Sequence, residues 1–308
     1  MNAAVRELAI TGAAGNLGRA VLAELLRRGE RPLALTRDPG AVRVAAPAGV
    51  EVRAADFAEP GGTAAALGGV RRLLLVSTNR SPERLGLHRA AIGAAVAAGV
   101  EHLVYTSVVR AADPGNPVAE ATDHGATERL LRESGLAHTV LRFNVWPEML
   151  VLSRLAHRAV ATGRLPSAAG EGRTGFVTRA DTAGVAAAVL ADGLPTGTAP
   201  TSAPASAPAQ HVLNVTGAGL TDREVAEALA SATGRPVRHV PVPDDRVAAE
   251  LTALGLAAPM ARGWGENDPA RRAGWFDVPE DATAARLLGR PLTPLVEFFA
   301  AHRAELTT

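Results

Sequence analysis

The sequence predicts an α/β protein, a doubly wound parallel sheet with a smaller, mainly helical lobe towards the C-terminus. Three observations carry that expectation. An apolar strand runs into a glycine turn and opens a helix at Leu8 to Gly18, and strand-helix alternation then repeats as far as Phe143. Near Leu194 the composition shifts, and helical patterns dominate beyond it. A chain of 308 residues is long enough for one large domain or a domain with an appended lobe.

The opening stretch, LAITGAAGNLG, sets the fold type. Leu8, Ala9 and Ile10 read as a short buried strand that ends at Thr11. Gly12 allows a sharp exit, Gly15 lets the backbone approach a ligand closely, and Gly18 lets the first helical turn pack against the strand. The amides of Asn16 and Leu17 then face a pyrophosphate, where unpaired N–H groups and the helix dipole favour negative charge. The spacing is Gly-x-x-Gly-x-x-Gly rather than the commonest dinucleotide fingerprint, Gly-x-Gly-x-x-Gly, and three spaced glycines alone also suit a strand-turn-helix without a ligand. Val21, Leu22, Leu25 and Leu26 recur at helical spacing, and Gly29 stops the helix.

The second strand, Pro32 to Thr36, ends at Arg37. At this position a carboxylate accepts from the 2′-hydroxyl of NAD, whereas an arginine accommodates the 2′-phosphate of NADP. Arg37 therefore argues for NADP(H) ahead of NAD(H), with Asp38 next to it able to offset part of the field. Val50 to Ala54 alternates as a third strand and leads to Asp56 and Phe57. These two residues are equally readable as adenine contacts or as a helix cap and a core aromatic. The fourth strand, Val70 to Val76, carries Ser77-Thr78-Asn79 at its tip, on the ribose and nicotinamide side of such a sheet. An alanine-rich helix from Pro82 to Ala98 follows, then a fifth strand, Glu101 to Ser107, ending Tyr105-Thr106-Ser107. A helix of about fifteen residues ends near Ser134-Gly135. Ala137 to Phe143 is the sixth strand, before Asn144-Val145-Trp146-Pro147 and another helix.

The chain divides at the composition shift. Residues 1–193 form the nucleotide-binding Rossmann domain, and 194–210, rich in Pro, Ala, Ser and Thr, read as a flexible insertion. Residues 211–308 form the substrate lobe, with strands returning to the core. In that lobe His211 to Thr216 is a strand and Thr221-Asp-Arg-Glu224 a capping box for a helix that buries Val225, Leu229 and Ala232. A short strand at Val237 to Val242 precedes helices bearing Trp264, Trp275 and Phe276, expected to cover the sheet's carboxyl edge.

Composition excludes several functions. The net charge of +1, with interspersed signs, makes no case for nucleic acid or a membrane surface. With no cysteine there is no disulfide or thiolate chemistry. The eight histidines show no metal-ligand spacing, so no metal site is expected, and no Gly-x-Ser-x-Gly elbow suggests a hydrolase. The first strand begins within a few residues of Met1, and no run of eighteen apolar residues occurs, which favours a cytoplasmic protein. All 32 basic side chains are arginine, and Tyr105 is the one tyrosine.

TGAAGNLG, Thr36-Arg37-Asp38-Pro39, Tyr105-Thr106-Ser107, Thr127-Glu128-Arg129-Leu130, Ser134-Gly135, Leu141-Arg142, Thr178-Arg179-Ala180-Asp181 and Gly289-Arg290-Pro291 occur in that order. Together they resemble the NmrA-like atypical short-chain dehydrogenases, and within them the bacterial type 2 NAD(P)H:quinone oxidoreductases. The resemblance implies an NADPH-dependent reductase of a quinone or related conjugated carbonyl, as monomer or homodimer. Two other readings stand beside it: an NADP-binding redox sensor without catalysis, and a biosynthetic tailoring reductase. The usual short-chain dehydrogenase tyrosine, with a lysine four residues later, is absent: Gly125 and Arg129 stand in those places. Arg129 keeps an expected hydrogen bond to the ribose, but as a binding group rather than an acid. A quinone suits that loss, because hydride transfer yields a stabilised hydroquinone anion and the remaining work is positioning two flat rings. The resemblance places Asn144 and Trp146 near the nicotinamide, one bonding an acceptor carbonyl and one stacking on its ring; Phe176 is a further pocket candidate.

Overall fold

The computed structural model describes residues 6–43, 50–79, 82–195 and 208–308. Strands β1 (Arg6–Ile10), β2 (Leu33–Thr36), β3 (Val52–Ala54), β4 (Val70–Leu75), β5 (His102–Val108) and β6 (Ala137–Phe143) belong to one sheet. The short strands β7 (Arg164–Ser167) and β8 (Thr174–Gly175) pair elsewhere, and β9 (Gln210–Val215) completes the sheet. The spatial order is β3-β2-β1-β4-β5-β6-β9, all parallel, in registers such as Ile10 with Leu74 and Leu141 with Leu213. The order reverses between β1 and β4, and a doubly wound sheet opens its ligand crevice at the carboxyl ends on either side of that point.

Alternation explains why these strands read as continuous apolar runs. Leu8, Ile10, Leu74 and Val104 point to one face, and Ala9, Leu73, Leu75 and Leu103 to the other; all are buried. Helices α1 (Asn16–Arg27) and, further along the chain, α8 (Arg179–Asp192) cover the first face. On the other, α3 (Pro60–Ala66), α4 (Arg84–Ala97) and α5 (Ala119–Glu133) follow the short α2 (Pro39–Arg43).

A second core lies beyond the sheet, where α6 (Glu148–Leu152) and α7 (Leu155–Thr162) meet α9 (Asp222–Thr233), α10 (Asp244–Ala253) and α11 (Ala258–Arg272) around Val225, Leu229 and Leu251. The capping box of α9 forms as its sequence predicts: Glu224 N donates to Thr221 Oγ1 at 3.3 Å, and Thr221 N to Glu224 Oε2 at 2.8 Å. The predicted strand near Val237 to Val242 is β11 (Arg238–Pro241), after the two-residue β10 (Gly219–Leu220). It pairs in parallel with β7, which the sequence reading missed because Arg-Leu-Pro-Ser has no apolar alternation and contains a proline. The predicted insertion 194–210 falls mainly on 196–207, outside the described residues, and its last residue, Gln210, already belongs to β9.

Two of the sequence signatures meet in space. Buried Asp181, on α8, accepts from Arg290 Nη2 at 2.6 Å and from the Thr293 amide at 2.8 Å. That tie fastens the segment after α12 (Ala282–Leu288) to the sheet's helical layer. No helix among the described residues is long and apolar enough to cross a membrane.

Candidate active site

A cavity of about 820 Å³ lies over the carboxyl ends of the strands, from the glycine turn through the tips of β2, β4 and β6 to α10 and α11. Its size suits a small-molecule site, for which roughly 300–1,000 Å³ is usual. The turn is built on backbone constraints. Gly12 has φ +62°, a left-handed conformation that disfavours side chains, and its carbonyl accepts from Gly15 N at 2.9 Å. A Cβ on Gly18 would lie 2.2 Å from that carbonyl oxygen, so α1 seats directly on the turn itself rather than on β1. Gly15 caps α1 with no side chain bonded to the first-turn amides, and no acidic residue occupies that turn. Asn16 and Leu17 line the cavity, so the uncapped, positive end of the α1 dipole lies at its wall. Thr11 lines the cavity, but its hydroxyl bridges the strands, donating to Leu74 O at 3.3 Å and accepting from Val76 N at 2.9 Å.

Arg37 stands exposed at the cavity rim after β2, without an ion pair to another described residue. Asp38, next to it, caps α2: its Oδ1 accepts from the amides of Gly40 and Ala41 at 2.9 and 3.3 Å. Asp56 and Phe57 also line the cavity. Asp56 Oδ1 accepts from Ala58 N at 3.0 Å, and Phe57 packs on the core between the sheet and α3–α5, so each retains a structural role at the cavity wall. Ser77 and Thr78 line it too, on a loop held from below. Ser77 N donates to Thr106 Oγ1 at 2.8 Å, Thr78 N to His88 Nε2 at 3.1 Å, and Arg84 Nε to Thr78 O at 2.8 Å.

Arg129 departs from the expectation. It is exposed on α5 and does not line the cavity, because the stretch of α5 that faces inward carries Glu120, Ala121 and His124. Gly125, in the tyrosine's place, admits no side chain: its Cβ would lie 2.2 Å from the Ala111 carbonyl oxygen. The neighbouring signature residues instead build a buried network. Glu128, fully buried, accepts from Arg142 Nε at 2.9 Å, Arg142 Nη2 at 2.6 Å and Ser107 Oγ at 2.7 Å. Tyr105 Oη lies 2.8 Å from His124 Nδ1, and His88 Nδ1 lies 2.9 Å from Thr127 Oγ1.

Burial pushes the His88 and His102 imidazoles down to about 4 and His124 to about 3, with Arg84 adding to the effect at His88 and His124 and Arg72 at His102. An unfolded imidazole titrates near 6.5, so these rings give stability that is complete above that pH and lost as pH falls towards about 4. Urea melts at pH 5.5 are therefore expected to give an unfolding free energy about 3–4 kcal/mol below that at pH 7.5, from about 1.4 kcal/mol per unit for each ring. A flat profile over that interval would contradict the three buried neutral rings.

At the end of the cavity away from the glycine turn, Asn144, Trp146 and Phe176 converge with Trp264, Met260 and Phe276. Asn144 is not an idle donor: Nδ2 reaches Thr216 Oγ1 at 3.1 Å and Phe276 O at 2.9 Å, leaving it to fix the wall rather than bond an acceptor carbonyl. Trp146 Nε1 donates to Thr182 Oγ1 at 3.1 Å, and the Arg179 guanidinium lies 5.2 Å from the ring centre. Phe176 is a buried side chain of the second core that also shows a surface to the cavity. Next to the lining residues Trp275 and Phe276, Arg110, itself left-handed at φ 55°, donates to the Asp277 carbonyl at 3.2 Å and lies 5.9 Å from the Trp275 ring.

Sequence reasoning missed the polar floor under α11, where Arg271 pairs with Asp222 and Asp268 and donates to Thr174 Oγ1 at 3.0 Å. Burial opposes charge on both acids. Arg271 still holds Asp222 below the usual carboxylate range, whereas burial raises Asp268. The one local signal was Asp222 beside its capping box. It also missed His124, whose partner Tyr105 is nineteen residues earlier on β5.

Residues 12–193 match the family model described as NAD(P)H-binding. The chain is 33% identical over 294 residues to quinone oxidoreductase 2 of Escherichia coli, covering 94% of this chain and 96% of that one. The crystal structure of the E. coli NADPH-dependent quinone oxidoreductase complexed with NADPH superposes with a TM-score of 0.82 at 31% identity, covering 96% and 99% of the two chains. An NAD(P)H azoreductase of Xenophilus azovorans is 31% identical over 301 residues, 96% of this chain and 97% of that one. Citrobacter sp. triphenylmethane reductase, complexed with NADP(H), gives a TM-score of 0.82 at 27% identity, covering 96% and 100%. On the share of the chain matched and the arrangement of its turn and sheet, the protein belongs to the NAD(P)H-binding oxidoreductases.

Proposed function

We propose that the protein transfers hydride from NADPH to a flat conjugated acceptor, a quinone or related conjugated carbonyl, without a tyrosine–lysine pair. The observation that carries this is the continuity of one cavity from the glycine turn and Arg37 to apolar walls at Trp146, Phe176 and Trp264. A sensor needs the first part only. The relatives' names add support, since a quinone, an azo compound and a triphenylmethane dye share an extended conjugated system.

In this reading residues 1–193 hold the nucleotide and 211–308 close over the acceptor. The Asn16 and Leu17 amides take the pyrophosphate, Arg37 the 2′-phosphate, Asp56 and Phe57 the adenine side, and the Ser77–Thr78 loop the ribose and nicotinamide side. Bound nucleotide supplies the hydride; the protein's part is to stack two rings in contact and keep water from between them.

Two measurements test the reading. Steady-state oxidation of NADPH and NADH with benzoquinones, naphthoquinones and azo dyes should show acceptor-dependent turnover that prefers NADPH; tight NADPH binding without turnover on any acceptor would favour a sensor. Arg37→Ala should weaken NADPH binding at least about tenfold, the ~1.4 kcal/mol of a lost charge-assisted contact, and leave NADH nearly unchanged. Equal loss for both nucleotides would remove the 2′-phosphate assignment.

A further inference from the structure

We propose that His124 donates a hydrogen bond through Nε2 to the acceptor oxygen on which negative charge develops, with Tyr105 as the positioning residue that fixes its ring. This deepens the reductase reading and rests on it.

The geometry separates His124 from the other imidazole beside Tyr105. His88 has both nitrogens engaged: Nε2 accepts from the Thr78 amide, and Nδ1 faces Thr127 Oγ1, whose own hydroxyl proton goes to the Asp123 carbonyl at 2.9 Å. His124 has one. Its Nδ1 meets the Tyr105 hydroxyl at 2.8 Å, while no described residue pairs with Nε2, on a side chain that lines the cavity. Tyr105 is wholly buried and does not line the cavity, so it touches the acceptor only through His124. A phenol is the stronger acid of the two and an imidazole nitrogen the better acceptor. The Ser77 and Thr127 hydroxyls also reach the phenol, but the imidazole nitrogen is the strongest acceptor of the three, so the Tyr105 hydroxyl donates to Nδ1 and the ring proton resides on Nε2, directed away from the phenol.

Burial keeps the ring neutral, with its pKa near 3, and pushes the phenol upward, so neither group exchanges its proton readily at neutral pH. A neutral N–H is still a preorganised donor. With NADPH bound, its nicotinamide C4–H bond would break and a new bond to that hydrogen would form at one end of the acceptor's conjugated system, displacing a π electron pair onto the carbonyl oxygen at the other end, which carries the negative charge until water protonates it. NADPH becomes NADP⁺ and the acceptor, after that proton, its two-electron-reduced form. A fixed N–H aimed at this oxygen is stronger in the transition state than with the starting carbonyl, so its loss falls on kcat.

The test compares the wild type with His124→Ala, His124→Gln and Tyr105→Phe, reading NADPH affinity, kcat and KM for one benzoquinone, and the ¹⁵N spectrum of the histidine rings without nucleotide. His124→Ala should lower kcat about 10²-fold with NADPH affinity unchanged, and His124→Gln should recover part of it through its amide donor. The wild-type ring should appear neutral with its proton on Nε2, and Tyr105→Phe should mix the two tautomers and lower kcat. The unaltered protein's spectrum stands as a test even where a variant fails to fold. An Nδ1-protonated wild-type ring, or a His124→Ala enzyme within threefold of the wild type in kcat, overturns the proposal while the reductase reading survives. A wild type that binds NADPH yet reduces no acceptor overturns both.

Discussion

Gly18→Ala is expected to abolish tight binding of NADPH and NADH alike, lowering both affinities by at least about 100-fold, or 2.7 kcal/mol. The added Cβ would lie 2.2 Å from the Gly12 carbonyl oxygen, 2.8 Å from its carbonyl carbon and 2.9 Å from the Ala13 Cα. All three are backbone atoms and cannot rotate aside. The first turn of α1 must lift off the glycine turn, carrying the Asn16 and Leu17 amides with it, and overpacking of this kind costs about 1–3 kcal/mol in stability besides. Gly93→Ala, inside α4 with nothing within 4 Å of the new Cβ, is the control. It should gain up to about 1 kcal/mol of helix propensity and leave binding alone. Isothermal titration of both nucleotides reads the difference; unchanged affinity in Gly18→Ala would mean that the pyrophosphate is held elsewhere.

Glu128→Ala should be the most destabilising single change away from the turn, by about 3–5 kcal/mol in urea unfolding. Its carboxylate is completely buried, the Arg142 side chain that pairs with it is 14% exposed, and Ser107 adds a third hydrogen bond. Removing the acid leaves a mostly desolvated guanidinium without its counter-charge. Replacing Glu128 and Arg142 together by methionine should restore much of the loss, since the strongest penalty is the orphaned charge rather than the missing attraction. A single-mutant loss below about 1 kcal/mol, the range of an exposed pair, would place the network in solvent-like surroundings.

The fold was legible where strands are buried on both faces and bounded by glycine. Ala137–Phe143 matches its strand to the residue, and the other sheet strands shift by one or two residues at their ends. β7, β8 and β10 were not legible: β7 carries a proline and no apolar alternation, and the two-residue β8 and β10 form only by pairing with each other. The glycine turn follows from local sequence, since its spacing needs no long-range information, and it lines the cavity together with the strand-end residue Arg37. Side-chain roles did not follow in the same way. Asn144 suits a carbonyl ligand until Phe276, 132 residues away, occupies one of its donors. Arg129 shares a helical face with Gly125 in sequence, but only the earlier turns of α5 meet the cavity. The stretches around Glu128 and Arg142, and those around Asp181 and Arg290, bond in pairs across the fold, which no single stretch reveals.

The most direct measurement is an anaerobic single turnover: enzyme preloaded with NADPH, or with NADPH deuterated at the transferred position, is mixed with a benzoquinone and followed at the nicotinamide and hydroquinone absorbances. Direct hydride transfer within one cavity requires the two signals to change together, one for one, more slowly with deuterium, and far less completely when NADH replaces NADPH at the same concentration. Nucleotide that stays reduced beside excess quinone would contradict the reductase and leave a protein that binds NADPH for another purpose.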